Sequence, residues 1–272
     1  MKHVSLWRTG LGRLAIVLSV GVSIAAPVLA DEPPAAAPSA TSSAAPPAAA
    51  PSATSAPRPA PPPPAQPSAP LPAWEKIGDD DGIIAYRREV PGSPLIAVRG
   101  EGMVNASIVK VASVLVDSTR ATEWIDRVVE SRVVRVVSET ETIHYDHIGT
   151  PVVMKDRDFV TRAKLLFDNA NKRVTVKMNS TTDPLAPPTD YVRGEIMESY
   201  FILTSLDHGT KTHVQVEVHA DPKGSIAKWI VNMFQKSWPH NTISRLRAQV
   251  AKPDIKEHAR LKAELTSAGY LN

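Results

Sequence analysis

The residues with the clearest chemical potential are two histidines and an aspartate that stand close together, His144, Asp146 and His147. These residue types bind metals and carry out acid–base chemistry. Side chains of a β-strand alternate between its faces, so His144 and Asp146 share one face and His147 lies on the other. No spaced histidines or carboxylates complete a metal shell, and we expect no metal or other cofactor. The alternatives for His144 are a hydrogen bond to a ligand head group and an ordinary paired histidine.

A second charged pair, Arg157 and Asp158, opens another strand and also points to opposite faces. The simplest interpretation is structural, with Asp158 paired on the outside of the sheet. The sequence contains no G-x-S-x-G, P-loop, dinucleotide-binding or H-E-x-x-H pattern. It also contains no cysteine, which excludes disulfides, thiolate ligands and a cysteine nucleophile. We therefore assign no catalytic residue and expect a protein that is not an enzyme.

The formal net charge of +3 does not indicate a nucleic-acid-binding protein. Three of the 31 basic residues are Lys2, Arg8 and Arg13, and the others are matched by 28 acidic residues. A chain without these three charges has no overall field to attract phosphates. No basic cluster with interleaved aromatics is present, so we expect no nucleic-acid partner.

Residues 1–30 have the pattern of a signal peptide. The three basic residues precede an apolar run over 14–24, and residues 28–30 are Val-Leu-Ala, with the small residues that a cleavage site requires. The alternative is an uncleaved membrane anchor, for which the interrupted run is short. We expect export, with the protein periplasmic or secreted.

The remaining chain divides by composition into three parts. Residues 31–73 are almost entirely Ala, Pro, Ser and Thr, which predicts an extended, disordered linker that acts as a tether. Residues 74–252 carry the periodic patterns of a folded domain. Residues 253–272 predict a short C-terminal helical tail.

Within the domain, period-two alternation of apolar and polar residues predicts an antiparallel sheet with one dry face. A helical period over 105–117 predicts a helix capped by Asn105 or Ser107, and the following segment presents Trp124 to the core. A turn is predicted at 79–82, where Asp-Gly favours a tight reversal. The predicted strands cover 83–90, 95–104, 128–137, 142–148, 157–167, 174–179, 192–206 and 213–219.

After a turn at 221–224 the period becomes helical again, with an interruption and an expected kink at Pro239. This helix is the natural cover for the dry face of the sheet. The predicted fold class is α+β, a curved antiparallel β-sheet wrapped around a long C-terminal α-helix. The apolar stripe of that helix is formed by Ile226, Ile230, Met233, Phe234, Ile243, Leu246 and Val250.

The order of these elements and several motifs resemble the START lipid-transfer domain. The motifs are Arg-Asp-Phe-Val at 157–160, His-Ala-Asp-Pro-Lys-Gly-Ser-Ile at 219–226, Trp-Ile-Val-Asn at 229–232, and Trp124. The similarity spans about 74–250. It implies a helix-grip (START / Bet v 1-like) fold that encloses one lipid between sheet and last helix, with no catalytic residue. It also implies opening at the last helix and at a loop over about 149–156, with Arg157 at the tunnel mouth.

The resemblance implies that residues of the dry face bind the lipid, although a filled core would use the same residue types. Sterol-binding members carry an arginine at the position of Ala163 and its acidic partner near His144. This chain lacks that pair, so the class of ligand stays open. The cavity candidates are Trp124, His144, Arg157, Phe159, Thr161, Ala163, Val214, Val216, Val218, Ile230, Met233 and Phe234.

The sequence therefore predicts a lipid carrier or sensor, whose partner is a lipid or other hydrophobic small molecule. We expect a monomer that touches membranes transiently, with Trp238 as the contact. One alternative is an enzyme of the same architecture, a cyclase or hydrolase acting on a hydrophobic molecule, because one fold hosts many functions. The other is an interaction module with a filled core.

Overall fold

The computed structural model describes residues 71–150, 154–224 and 228–271, and for 228–236 it describes the backbone alone. The predicted signal peptide and nearly all of the predicted linker lie outside these residues. The described part is built around a 10-stranded sheet. Its strands are β1 (Glu75–Asp80), β2 (Ile83–Glu89), β3 (Ile96–Val104), β4 (Val128–Ser138), β5 (Glu141–Ile148), β6 (Arg157–Asp168), β7 (Arg173–Ser180), β8 (Val192–Arg193), β9 (Glu195–Leu206) and β10 (Lys211–Asp221).

The helices are inserted at two places in this series of strands. Helix α1 (Ile108–Val116) and a 3-10 helix (Ser118–Glu123) separate β3 from β4, and α2 (Lys228–Ala251) and α3 (Ala259–Ser267) follow β10. No helix of the described ranges is both long and apolar enough to cross a bilayer.

The strands follow the order β1-β2-β3-β10-β9-β7-β6-β5-β4, with every neighbouring pair antiparallel, and β8 runs parallel to β6 off this path. The predicted antiparallel sheet, with few helices beside it, is therefore confirmed. Joining β3 to β10 brings the two ends of the domain together, so that one continuous inner face receives side chains from both.

One predicted strand is divided in two. The sequence predicted a single strand over 192–206, whereas the structure breaks it at Gly194 into β8 and β9. A Cβ at Gly194 would lie 2.3 Å from the Cε1 atom of the Phe159 ring, so the backbone here passes directly against that ring. The Gly194 N–H donates to the carbonyl of Asp158 instead of joining the β9 ladder.

Local signals at two element boundaries are confirmed. Asp81 and Gly82, between β1 and β2, both have positive φ, at 49° and 62°, as a tight hairpin turn requires. Of the two candidate caps for α1, Ser107 is the N-cap, and its Oγ accepts from the Lys110 N–H at 3.2 Å. The helix accordingly begins at Ile108, three residues after Asn105.

Helix α2 packs across the inner face at two glycines of β3. A Cβ on Gly100 would lie 2.8 Å from the Pro239 Cβ, and one on Gly102 would lie 3.3 Å from the Ile243 Cγ2. The helix continues through Pro239 from Lys228 to Ala251, so the proline does not end it. The long helix gripped by the sheet is the predicted helix-grip arrangement.

The C-terminal tail shares the core of the domain. Leu261, Leu265 and Tyr270 are buried in the same apolar cluster as α1 and the sheet. The single Tyr270 O–H lies between two acceptors, the Asn169 Oδ1 at 2.9 Å and the Arg173 carbonyl at 3.0 Å. The sequence predicted the helix of this tail but gave it no part in the core.

Candidate functional site

The inner face of the sheet is apolar at one end. Strand pairing places its side chains in rows that run across the sheet, and the first two rows contain only apolar residues and glycine. One row is Phe167, Val174, Leu203, Val214, Gly102 and Ile83; the next is Leu165, Val176, Phe201, Val216, Gly100 and Ala85. Helix α1 and the C-terminal half of α2 cover this end, which makes it a dry floor.

The opposite end of the inner face becomes polar. The third row joins Thr142, Ala163, Met178, Ser199 and Val218. Beyond it, His144 is paired with Thr161, and Asp146 with Phe159. The polar members of these rows are at most 2% exposed, so they lie as deep as the apolar floor. We call them the polar belt: Thr142, His144, Asp146, Thr161 and Ser199.

Hydrogen bonds join the belt internally and to the neighbouring strand. The Thr142 hydroxyl lies 2.8 Å from the His144 Nε2, and the Ser131 hydroxyl donates to the Asp146 carboxyl at 2.5 Å. Burial lowers the pKa of the His144 imidazole to about 3, because a charged ring would lose its hydration there. His144 is consequently neutral at physiological pH.

Two buried donors near this interior have no acceptor within the described residues. They are the Ser199 hydroxyl and the Trp124 Nε1–H, on side chains only 2% and 3% exposed. Trp124 ends the 3-10 helix and packs into the apolar cluster that lines the inner face. Buried donors without a partner are rare because each has given up its bond to water, which makes these two candidates for ligand contacts.

Arg157 closes the polar end. Its guanidinium donates to the Lys155 carbonyl at 2.6 Å and lies 3.4 Å from the carbonyls of both Pro222 and Lys223. Desolvation lowers the pKa of Arg157, and the side chain is buried. It therefore ties the segment before β6 to the connection from β10 to α2, and Lys223 and Gly224 give this connection its sharp turn at φ values of 53° and 72°.

The base of the loop between β5 and β6 is fastened by Asp156. Its carboxyl accepts from the Thr150 N–H at 2.7 Å and lies 2.7 Å from the His147 Nε2. The His147 ring stacks on Tyr191, with ring centroids 4.1 Å apart. His147 thus faces away from His144, as predicted. Residues 151–153 of the loop are outside the described residues.

Asp158 is paired on the outer face of the sheet, as predicted. Asp158 forms a bidentate pair with Arg193 at 2.8 and 3.0 Å and accepts from the Thr189 hydroxyl at 2.7 Å. The carboxyl is nonetheless fully buried, because the segment before β8 crosses the outer face above it. This pair holds that segment in place and has no access to the interior.

The structure brings nine of the twelve candidates onto the described core, each at most 4% exposed. The side chains of Ile230, Met233 and Phe234 lie outside the described residues. Trp238, the expected membrane contact, is only 5% exposed, so in this conformation it is a core residue. The nine are Trp124, His144, Arg157, Phe159, Thr161, Ala163, Val214, Val216 and Val218.

Sequence reasoning missed Thr142, Ser199 and Asp146 as members of one polar belt. Alternation along β5 assigns Thr142, His144 and Asp146 to one face, and this signal was available in the sequence. Ser199 could not be assigned to the belt from the sequence, because only strand pairing places it beside Met178 and Val218. Among the described residues, no three His, Asp or Glu side chains group as a metal site.

These features define a class of protein, a helix-grip domain with a sheltered inner face. The family model for the START domain matches residues 66–254, and the chain belongs to that family. The expected resemblance is therefore confirmed, and with it a fold that binds lipids.

Solved structures of the same family superpose on the domain. A StAR-related lipid transfer protein from Xanthomonas axonopodis (fragment 25–204) is 28% identical with a TM-score of 0.58, covering 66% of this chain and 99% of its own. Human StAR-related lipid transfer protein 5 is 19% identical with a TM-score of 0.60, covering 65% and 86%, and supports the fold alone. The uncharacterized protein PA1579 of Pseudomonas aeruginosa is 26% identical over 66% of this chain and 87% of its own.

Proposed function

We propose that this protein binds one lipid, or a similar apolar molecule, between its sheet and α2, and serves as a carrier or sensor without catalysing a reaction. Membership of the START family supports the binding role. The similarity to the Xanthomonas protein, which is named a lipid transfer protein, supports transfer. The proposal includes export and a monomeric state, which rest on the sequence.

The observation that carries the proposal is the change from an apolar floor to a polar belt on one buried face. A filled core gains nothing from buried donors that lack partners, here the Ser199 hydroxyl and the Trp124 indole N–H, since each costs free energy. Ligand sites combine an apolar lining with a few placed polar groups. The inner face has this composition, and the belt lies toward the end closed by Arg157.

Ligand entry then requires a movement at the polar end. The inner-face candidates are almost fully buried, so a lipid reaches them only when the cover shifts. Arg157 holds this end through long contacts with the Pro222 and Lys223 carbonyls, at 3.4 Å each. We propose that Arg157 releases these carbonyls at a membrane surface, so that the last helix can move and admit the lipid.

The chemistry of the belt favours binding over catalysis. An imidazole whose pKa is held near 3 is a weak general base at neutral pH. The Thr142 hydroxyl, at hydrogen-bond distance from it, is on the same strand and is buried. We therefore prefer a binding protein to a cyclase or hydrolase of the same architecture.

The test is native mass spectrometry of the full chain purified from its host, followed by organic extraction. A stoichiometric lipid is the expected result. A protein that is empty, and that also fails to take up phospholipids, sterols and fatty acids, would overturn the proposal.

A pair of variants makes this test specific for the inner face. Ala163→Trp fills the interior, whereas Lys164→Trp places the same side chain on the exposed outer face of the same strand. Circular dichroism establishes that both fold. The proposal requires that Ala163→Trp lose the lipid and that Lys164→Trp keep it; equal occupancy in both would place the ligand elsewhere.

A further inference from the structure

We propose that the interior selects a ligand whose polar head is uncharged and carries a hydrogen-bond acceptor, such as a hydroxyl, ester or amide, and discriminates against anionic heads. This inference rests on the proposed function and names the ligand class of the same site. Four features of the described interior carry it.

The first two features are the unpartnered donors. The Ser199 hydroxyl and the Trp124 indole N–H are buried and donate to nothing. Each would gain a hydrogen bond from an acceptor on a ligand without losing one to protein. A ligand that is wholly hydrocarbon would leave both donors unsatisfied, which is unfavourable in a dry site.

The third feature is the character of the ionisable groups in the belt. His144 is neutral, because burial lowers its pKa to about 3, and it therefore supplies no positive charge. Asp146 carries a carboxyl group that accepts from Ser131. Neither group supplies a positive charge to an anionic head, which would have to bind there uncompensated or in its protonated form.

The fourth feature is the engagement of Arg157, the arginine that closes the polar end. The Arg157 guanidinium already faces three backbone carbonyls, those of Lys155, Pro222 and Lys223. A phosphate or carboxylate would have to share the guanidinium with these carbonyls, because three of its five N–H groups already face them. In the described interior, no other arginine or lysine lies on the inner face of β5, β6, β7 or β9. Transferring an anion there without a counter-charge is strongly unfavourable.

The experiment compares ligands that share one chain and differ in the head. Hexadecanol, methyl hexadecanoate, hexadecanoate and hexadecyl phosphate are titrated against the delipidated full chain at pH 7.5 below their aggregation limits, with native mass spectrometry as the readout. We expect the two neutral ligands to bind at least tenfold more tightly. Lowering the pH until hexadecanoate is protonated should raise its affinity.

The outcomes separate this inference from the proposed function. Equal affinity for neutral and anionic heads, or tighter binding of the anions, overturns the inference and leaves lipid binding intact. If none of these ligands binds, and neither a sterol nor a phospholipid binds, the proposed function itself is overturned.

Two variants test the donors directly. Ser199→Ala and Trp124→Phe each remove one donor. Each should lower the affinity for hexadecanol two- to tenfold, the effect of one hydrogen bond, and leave the affinity for hexadecane unchanged. Thr175→Ala, on the outer face of β7, is the control. An equal loss for alcohol and alkane would mean that these side chains only shape the interior, and would overturn their role as donors.

Discussion

Gly100 determines how closely α2 can approach the sheet, and replacing it should separate the two. A Cβ at this position would lie 2.8 Å from the Pro239 Cβ and 3.2 Å from both its Cα and its carbonyl oxygen. These are mainly atoms of the helix backbone and of a rigid ring, so no side-chain rotation relieves the contact. In Gly100→Ala, the helix or the strand must shift.

The magnitude follows from a comparison with a second strand glycine. Overpacking of this kind costs about 1–3 kcal/mol. Replacing glycine by alanine also restricts the unfolded chain, which stabilises by about 0.4–1 kcal/mol where the native backbone permits it. At Gly78 a Cβ would meet only the Ala85 Cβ, at an ordinary 3.7 Å. The unfolded-state effect cancels between the variants, so Gly100→Ala should be less stable than Gly78→Ala by about 1–3 kcal/mol.

Urea denaturation of the full chain, followed by tryptophan fluorescence and by far-ultraviolet circular dichroism, measures this difference. Because α2 covers the inner face, Gly100→Ala should also release bound lipid faster, which transfer between liposomes would detect. Equal unfolding free energies for the two variants would refute the close packing of Pro239 on β3.

Three further perturbations test other parts of the structure. Gly194→Ala should destabilise by about 1–3 kcal/mol, since its Cβ would lie 2.3 Å from the Phe159 ring; an unchanged thermal midpoint would contradict that contact. Tyr270→Phe should cost about 1 kcal/mol by removing the hydroxyl that lies between two acceptors, and a neutral result in denaturation would contradict a stabilising role for that hydroxyl. Burial raises the pKa of Asp158, but the bonds from Arg193 and its neighbours lower it overall. The ionised Asp158 therefore adds to the free energy of unfolding above the unfolded-state pKa of about 3.9. This contribution is lost as the pH falls through the lower folded-state pKa. Asp158→Asn should lose about 3 kcal/mol at pH 7 and show a flatter dependence of unfolding free energy on acid pH; parallel pH curves for both proteins would contradict the pairing.

Much of the fold could be predicted from local patterns because these patterns have local causes. Alternation in β6 and β10 assigns Phe159, Thr161, Ala163 and the valines of β10 to the buried face, since successive side chains of a strand point in opposite directions. The turn at Asp81 and the cap at Ser107 need only their neighbours in the chain. These features are confirmed.

Features that depend on distant contacts could not be predicted in this way. The break at Gly194 exists because a ring from β6 lies against the backbone, and the burial of Asp158 depends on a segment that returns to cover it. Trp238 has the sequence character of a membrane contact, yet helix packing buries it. Each outcome is set by a neighbour more than 30 positions away or by a whole packed layer.

By itself, the sequence determined the fold class, the faces of most strands and the family, because hydrophobic period and short motifs encode these directly. Only the tertiary structure decided where the dry face becomes polar. Ser199, Thr142 and Ala163 belong to β9, β5 and β6, and pairing register places them in one row. A shift by one residue would turn every side chain of a strand to the other face. The polar belt is therefore a property of register, and register is fixed by the packing of the whole sheet.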